Sequence, residues 1–401
     1  MRMLIVCDYS LGYLGGAQTA LKRQAEALAA AGHSIIVLAP EAATADLPSG
    51  IICLEPLPSP MLPVLELPLL RANNALRRFV AAVFELARFD AVILHSEFGL
   101  AASVAAEATE RGIPVLHTVH TFFWRGPALG APLAPVVRAF HRAVTRLPNP
   151  QLRLAARPLD SALREMTLSI ARAADAVLSP SAHQAEPLRA AGLPRVEVVS
   201  NVTEADRSPL PLPSLGRRPG DSALRLAWLG RFAPEKRLDV ALSGVALASE
   251  QGSTLRLDVA GGSPSRRQLD ASRALPILWH HRLSPTEVSG LLDRSHALLL
   301  TSHGFDNQPM VALEAFSRGR PIITVDPALA REFGGAAILC RNPSAAGVAS
   351  TLQLLAAEPW RLEFAALDAQ LFVSQTSGAV HAARITAILH SLQRGAGRLV
   401  A

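Results

Sequence analysis

Lysine, cysteine and aromatic side chains are scarce in this sequence, and the scarcity of cysteine and of aromatic residues each argues against a class of protein. Cys7, Cys53 and Cys340 are odd in number and far apart, without C-x-x-C spacing, so neither a disulfide framework nor a zinc site is indicated. Aromatic residues make up only 5% of the chain and the basic residues are scattered, which argues against a nucleic-acid partner despite the net charge of +6. Of the 39 basic residues only Lys22 and Lys236 are lysines, so a lysine within a motif stands out.

Long uncharged apolar runs are missing as well. The proline-rich run at residues 56–70 is broken by Glu66, so no membrane-spanning helix is predicted. The opening segment MRMLIVCDYS is too short for a signal peptide and reaches Asp8 at once. The sequence therefore predicts a cytoplasmic protein, with peripheral attachment to the inner membrane face as the one alternative.

The chain has ample apolar material for two domains. It has 401 residues, of which half are apolar and 18% are charged. Short apolar runs alternate with Ala- and Leu-rich helical patterns, which is typical of doubly wound α/β domains with parallel sheets. Because residues 208–222 are rich in proline and glycine, we predict domains at 1–207 and 223–401 joined by a linker at 208–222. The final helices, after Trp360, are candidates to pack back on the first domain.

Gly15 and Gly16 lie between the first predicted strand and its helix. Without side chains, their backbone N–H groups and the positive helix end could approach a phosphate. The spacing is not G-x-G-x-x-G, which disfavours a dinucleotide cofactor, and a plain tight turn explains the pair equally well.

A second motif opens the second half of the chain. In the segment GRFAPEK at residues 230–236, Arg231 follows a strand and Lys236 precedes a helix. Two cations near one helix start would repel each other unless an anion were bound, and a diphosphate would satisfy both. The alternative is a solvated loop that Glu235 already balances.

A third motif runs from Thr301 to Glu314. A polar loop containing Asp306 leaves a strand, Pro309 suits the first turn of a helix, and Glu314 lies within that largely apolar helix. Burying Glu314 alone would cost several kcal/mol, roughly, so it needs a partner such as ribose hydroxyls or a neighbouring arginine.

Together these motifs resemble the family 4 glycosyltransferases of the GT-B architecture. The features are the Gly-Gly loop, G-R-x-x-x-E-K and an acid-x7-Glu motif from Asp306 to Glu314, and the likeness extends to residues 174–181 and 198–201. Each motif alone is weak, but their order and spacing are specific. The resemblance implies two Rossmann-like domains that face a central cleft, with the acceptor bound by the first and the nucleotide-sugar donor by the second.

The resemblance also implies roles for individual residues. Arg231 and Lys236 would grip the donor diphosphate, Glu314 the ribose hydroxyls and Asp306 the transferred sugar. Gly15 and Gly16 would approach the donor from the first domain, and His120, after a predicted strand, would contact the sugar near the reacting carbon. Further donor contacts would come from Asn307, Gln308, Pro309 and Met310. His95 and His117 also lie at strand ends, but they are interpreted as structural.

The sequence departs from the family pattern at one motif. The first acid is usually Glu, whereas Asp306 is one methylene shorter, and the loop before it differs by a residue. Because of these two differences, the motif does not identify the donor sugar.

The implied reaction transfers a sugar from a nucleotide diphosphate to an acceptor hydroxyl with retained anomeric configuration. The leaving diphosphate gains charge as its bond to the sugar breaks, so Arg231, Lys236 and helix N-termini would stabilise the transition state. The resemblance implies front-face attack, in which a donor phosphate oxygen helps to deprotonate the acceptor. The sequence has no D-x-D cluster, so we predict neither a metal ion nor another cofactor.

The acceptor side is expected in an arginine-rich segment, residues 121–158. It contains six arginines and no acidic residue, and Arg138, Arg142 and Arg146 recur every four positions beside an apolar flank. This pattern suits an anionic membrane surface or a glycan or lipid-linked acceptor. An ordinary solvated helix is the alternative.

The sequence is also compatible with other function classes. A sugar-nucleotide epimerase shares the architecture but needs acid and base carboxylates at the sugar, of which only Asp306 is identified. A pyridoxal-dependent phosphorylase needs a cofactor lysine, whereas Lys236 lies where a phosphate ligand belongs. A non-catalytic nucleotide-sugar-binding protein would differ only in turnover.

Overall fold

The computed structural model describes residues 1–12, 15–62, 67–126, 130–203, 211–213 and 223–399. By its contacts the chain forms two compact units. The first comprises Met1–Val202 together with Gly378–Ala401, and the second comprises Thr203–Ser377. Most of the predicted linker at 208–222 lies outside the described residues, so its boundaries stay a prediction.

Both units are built from short strands that alternate with helices. The strands are β1 Arg2–Val6, β2 Ser34–Leu38, β3 Ile52–Leu54, β4 Met61–Leu62, β5 Leu67–Pro68, β6 Ala91–Leu94, β7 Val115–Thr118, β8 Ala176–Ser179, β9 Val196–Val198, β10 Leu224–Leu229, β11 Leu255–Ala260, β12 Ile277–Trp279, β13 Ala297–Leu300, β14 Ile322–Thr324 and β15 Ala337–Leu339. The helices are α1 Gly16–Ala30, α2 Asn74–Leu86, α3 Gly99–Glu110, α4 Ala134–Thr145, α5 Pro158–Ala171, α6 Ala182–Ala190, α7 Leu238–Glu250, α8 Arg266–Ser272, α9 Pro285–Asp293, α10 Met310–Ser317, α11 Pro327–Phe333, α12 Ala345–Ala357, α13 Trp360–Gln375 and α14 Gly378–Leu399.

The first unit contains a seven-stranded parallel sheet in the order β3-β2-β1-β6-β7-β8-β9. Alternate residues of β1 pack into two different apolar clusters, one on each face of the sheet. Met3 and Ile5 join the apolar cluster on the side of α1 and α14, whereas Leu4 and Val6 join the cluster on the side of α2 and α3. Both faces of the strand are therefore covered, which explains why it is an uninterrupted apolar run after Arg2.

The C-terminal helix α14 belongs to the first unit. Ile385, Ile388 and Leu389 are buried in the same cluster as Leu21 and Leu28 of α1. Helix α13, by contrast, belongs to the second unit.

The second unit contains a six-stranded parallel sheet in the order β12-β11-β10-β13-β14-β15. On one face, Leu226 and Trp228 of β10 are packed in a cluster with Val245 of α7 and Leu352 of α12. The predicted doubly wound α/β fold is thus confirmed. Strands β3 and β15, which are only partly buried, and the antiparallel pair β4–β5 inside the proline-rich run were not predicted.

Candidate active site

The candidate site of the second unit lies at the carboxyl ends of β10 and β13. These strands are neighbours, with Ala227 paired to Leu298, and the strand order reverses between them. In open α/β sheets, such a reversal of strand order is where ligands bind, beyond the carboxyl ends of the strands. The loop after β10 carries Arg231 and Lys236, and the loop after β13 carries Asp306.

Lys236 and Asp306 meet across this position. The Nζ atom of Lys236 lies 2.5 Å from Oδ1 of Asp306, and the two side chains are 21% and 9% exposed. The other carboxylate oxygen of Asp306 accepts a hydrogen bond from the Ser302 hydroxyl at 2.5 Å. A partly buried, hydrogen-bonded ion pair of this kind holds both charges in defined positions.

The backbone of Lys236 is fixed to the sheet by two further side chains. The Thr301 hydroxyl donates to the Lys236 carbonyl at 2.9 Å and accepts from Nε1 of Trp228 at 3.1 Å. Thr301 follows β13 and Trp228 lies in β10, so the neighbouring strands together position the lysine. Neither Thr301 nor Trp228 was predicted as a supporting residue, because their contact depends on the strand order.

Arg231 is placed differently from Lys236. Its side chain is 66% exposed, and its guanidinium lies 3.4 Å from Glu235, a surface pair of the type that contributes little to stability. The two cations thus each have a carboxylate partner. With these partners, a bound anion is not needed to hold the two cations in place, and the roles of Arg231 and Lys236 stay a prediction.

The loop after β10 packs directly on the loop after β11. Gly261 has φ +120°, and a Cβ atom there would lie 2.3 Å from the Gly230 carbonyl oxygen. Only glycine permits this backbone approach. The close packing fixes the start of the loop that presents Arg231.

The remaining donor candidates lie at the start of α10. Asn307 and Gln308 are buried, Pro309 is the N-cap residue with φ −65°, and Met310 is the first helical residue. Glu314 follows one turn later and is partly buried between the fully buried Leu313 and Ala315. The structure therefore gathers the predicted residues of the second unit at the ends of two adjacent strands.

The loop that carries Asp306 has a further anchor. Gly304, with φ +63°, donates its N–H to Asp326 at 2.6 Å, and the other oxygen of Asp326 caps α11. Asp326 is a supporting residue that was not predicted from the sequence, because its contact with Gly304 depends on β14 being the neighbour of β13.

In the first unit, the Gly-Gly pair marks the start of α1. Gly15 is the N-cap residue, with extended backbone, and the exposed Gly16 is the first helical residue. The Gly15 carbonyl accepts hydrogen bonds from the backbone N–H and the hydroxyl of Thr19, both at 3.0 Å. Residues 13 and 14, which precede this pair, lie outside the described part of the chain.

The neighbouring helix start is occupied by a carboxylate. Asp8, which follows β1, accepts hydrogen bonds from the backbone N–H groups of Leu100 at 2.7 Å and Phe98 at 3.2 Å. It also accepts from the Ser96 hydroxyl at 2.7 Å. Burial raises the pKa of Asp8, whereas these hydrogen bonds act in the opposite direction. Asp8 thus fills the N-terminus of α3.

His120 lies two residues beyond β7 and contacts His95, which follows the adjacent strand β6. Nε2 of His120 lies 2.9 Å from Nδ1 of His95, and Nε2 of His95 lies 2.7 Å from the side-chain oxygen Oε1 of Gln24. Burial lowers the pKa of His120 to about 4 and that of His95 well below its usual range. Both rings are therefore neutral near pH 7. The contact of His95 with His120 was not predicted, because it depends on the strand order.

The arginine-rich segment is less uniformly basic than predicted. Arg138 donates two hydrogen bonds to the fully buried Glu165, at 2.8 and 2.9 Å. Arg142 and Arg146 are exposed, and Val136 near the start of the same helix is 61% exposed. Arg138 lies on α4 as predicted but is neutralised by Glu165 of α5, whereas Arg146 is the C-cap residue just beyond that helix. The role of this segment at a membrane or acceptor stays a prediction.

The fold is that of the GT-B glycosyltransferases. Anabaena Alr3699/HepE, solved in complex with UDP and glucose, aligns with a TM-score of 0.66 and 14% identity over 97% of this chain and 99% of its own. WaaG, a glycosyltransferase involved in lipopolysaccharide biosynthesis, aligns with a TM-score of 0.60 and 14% identity over 96% and 99%. At these identities the likeness establishes the fold.

The sequence comparison identifies the family. The model of Glycosyltransferase Family 4 matches residues 14–207, and the model of Glycosyl transferases group 1 matches residues 223–358. The chain belongs to these glycosyltransferases. A glycogen synthase of Mycobacterium tuberculosis is 28% identical over 176 residues, which span 42% of this chain and 41% of that enzyme. Among the described residues, no helix combines the length and apolar character needed to cross a bilayer.

Proposed function

We propose that the protein transfers a sugar from a nucleotide-diphosphate sugar to an acceptor hydroxyl with retention of the anomeric configuration. The observation that carries the proposal is the Lys236–Asp306 pair at the carboxyl ends of β10 and β13. It places a cation and a carboxylate side by side, and these are the groups that a diphosphate and a sugar hydroxyl require. The UDP complexes of the HepE neighbour support a nucleotide-sugar donor.

Each residue of the second unit has a defined role in this proposal. Lys236 and Arg231 bind the diphosphate, whose charge increases as the bond to the anomeric carbon breaks, so they stabilise the transition state more than the ground state. Asp306, held by Ser302, accepts a hydroxyl of the transferred sugar. Glu314 accepts the ribose hydroxyls. Asn307, Gln308, Pro309 and Met310 line the donor site at the start of α10.

The bond changes balance without a redox partner or a protein nucleophile. The bond between the anomeric carbon and the diphosphate oxygen breaks, and a bond to the acceptor oxygen forms on the same face of the sugar. The proton of the acceptor hydroxyl moves to a donor phosphate oxygen. No metal ion or other cofactor takes part in this scheme, since Lys236 and Arg231 supply the positive charge.

The first unit supplies the acceptor side. Gly15 and Gly16 present backbone N–H groups at the start of α1, and His120 contacts the sugar near the reacting carbon. The exposed Arg142 and Arg146, together with the exposed Val136, support a lipid-linked or cell-envelope glycan as acceptor, presented at an anionic membrane surface.

A donor panel tests the proposal. The full chain is incubated with UDP-, GDP- and ADP-sugars, in EDTA or in Mg²⁺, with and without a cell lipid extract, and the released nucleotide is measured. We predict release from one nucleotide class, undiminished by EDTA and increased by the lipid acceptor, with a product whose anomeric proton coupling matches that of the donor. Conversion of the donor to an epimer, or binding without turnover, would instead support an epimerase or a non-catalytic binder. An inverted product would contradict retention.

A further inference from the structure

Four side chains of the first unit are hydrogen-bonded in series and end at a backbone carbonyl. His120 contacts His95 at 2.9 Å, and His95 contacts the side-chain oxygen Oε1 of Gln24 at 2.7 Å. The Gln24 amide nitrogen lies 2.8 Å from Nε2 of His381, and Nδ1 of His381 lies 2.8 Å from the Ser200 carbonyl oxygen. We call these side chains the histidine chain. It joins the loops after β7 and β6 to helices α1 and α14.

The terminal carbonyl determines the direction of every bond in the histidine chain. A carbonyl oxygen only accepts, so Nδ1 of His381 carries a hydrogen, and in the neutral ring Nε2 then accepts from the Gln24 amide. The Gln24 oxygen therefore faces His95 and accepts from its Nε2–H. Nδ1 of His95 is then an acceptor and receives a hydrogen bond from Nε2–H of His120. Each neutral ring has one hydrogen, so its tautomer is determined.

The opposite direction is unfavourable. It would require His381 to donate from both ring nitrogens and hence to carry a charge, although its side chain is only 6% exposed. Gln24 and His95 are 2% and 1% exposed. Burial lowers the pKa of His381 to about 4, so the neutral form and the direction described above prevail near pH 7.

We propose that His95, Gln24 and His381 are positioning residues that hold His120 in its Nε2–H tautomer and thereby make Nδ1 an acceptor for a hydroxyl of the donor sugar. This inference rests on the sugar contact proposed for His120 above and deepens it, because it states the polarity of that contact. It also gives the C-terminal helix α14 a part in the site, since His381 acts on His120 through two intervening side chains.

The histidine tautomers test the proposal without any turnover. The full chain is labelled with ¹⁵N-histidine, and long-range ¹H–¹⁵N correlation spectra are recorded at pH 7.5. Signals are assigned from the single variants His95→Phe, His120→Phe and His381→Phe. We expect the Nε2–H tautomer for His95 and His120 and the Nδ1–H tautomer for His381. An Nε2–H tautomer at His381, or an Nδ1–H tautomer at His120, would overturn the proposal.

Two substitutions at Gln24 separate positioning from simple structural support. Gln24→Leu removes both contacts, and kcat should fall about tenfold with a smaller change in donor KM, the scale of one misdirected hydrogen bond. Gln24→Glu still accepts from His95 but has no N–H to donate, so Nε2 of His381 must take up a proton and donate to the carboxylate. Because the bond from His95 is kept, this variant should keep the His120 tautomer and hold kcat within about twofold of wild type. The control is His117→Leu, a fully buried histidine of β7 outside the histidine chain, which should leave kcat near the wild-type value.

The outcomes distinguish this proposal from the proposed function. Expected tautomers in a chain that releases no nucleotide from any donor would refute the transferase activity alone. Normal kcat for Gln24→Leu in an active enzyme would refute the positioning role alone.

Discussion

Lys236 and Asp306 are 70 residues apart in sequence, yet Nζ of the lysine lies 2.5 Å from Oδ1 of the aspartate. The contact exists because β10 and β13 are neighbours in the sheet, so their following loops meet at one edge. Opposite charges at the position where the strand order reverses form the centre of the proposed donor site.

Loss of either cation should reduce turnover. We expect Lys236→Ala and Arg231→Ala each to lower kcat by roughly 10²-fold, because each removes a preorganised donor to developing negative charge. The matched control is Lys22→Ala, which removes the other lysine of the chain, on α1, and should leave kcat nearly unchanged. Nucleotide release under saturating donor measures the effect. Wild-type rates in both site variants would support the alternative interpretation of residues 230–236 as a solvated loop without a role in turnover.

Glu314→Gln should mainly raise the donor KM. Contact with ribose hydroxyls contributes similarly to the ground state and the transition state, so kcat should change little. Repeating the measurement with a 2′,3′-dideoxyribose donor removes the partner hydroxyls, and the difference between wild type and Glu314→Gln should then disappear. Glu363→Gln, an exposed site on α13, is the control. A variant effect that persists with the dideoxy donor would refute ribose binding.

His117 should make the protein sensitive to acid. Burial lowers its pKa to about 3, and neither ring nitrogen has a hydrogen-bond partner among the described residues. Between pH 6.5 and 3 the unfolded chain binds a proton that the folded chain does not, so the free energy of unfolding falls as the pH falls, by about 1.4 kcal/mol per unit. The contribution is absent above pH 6.5.

His117→Leu should remove this sensitivity. Between pH 7 and pH 5 the variant should lose about 2 kcal/mol less than wild type, as measured by urea unfolding at both pH values. Glu97, whose pKa burial raises to about 8, titrates in both proteins, so the difference isolates His117. Equal losses in the two proteins would mean that His117 is not buried as a neutral ring.

Membrane attachment should depend on Arg142 and Arg146 rather than on Arg138. Each exposed arginine near an anionic surface contributes about 1 kcal/mol, so Arg142→Ala with Arg146→Ala should weaken binding by about 2 kcal/mol. Co-sedimentation with neutral and anionic liposomes across a salt series measures this, and salt should reduce wild-type binding. The control is Arg77→Ala with Arg78→Ala, an equal charge change on the exposed part of α2. Equal binding by both double variants would show that Arg142 and Arg146 have no specific role in membrane attachment and that α4 is an ordinary solvated helix.

The fold can be predicted from the sequence more fully than the side-chain contacts of the candidate site can. The central strands are continuous apolar runs buried on both faces, so their positions follow from the pattern of residues. Strands β3 and β15 are short and partly exposed, and they lack that signal. The contacts of Lys236 with Asp306, His120 with His95 and Arg138 with Glu165 depend on which strands or helices become neighbours. No local pattern in the sequence carries that information.

Titration of a free nucleoside diphosphate into wild type, Lys236→Met and Asp306→Asn is the decisive test of the proposed diphosphate site. If the pair forms that site, removal of the cation weakens binding, and removal of the neighbouring negative charge strengthens it, each by about tenfold, while sugar transfer by Asp306→Asn falls. Isothermal titration calorimetry with UDP, GDP and ADP gives the dissociation constants. We predict opposite shifts in the two variants for the nucleotide that wild type binds. Unchanged binding in both variants, or a shift in the same direction, would contradict the assignment.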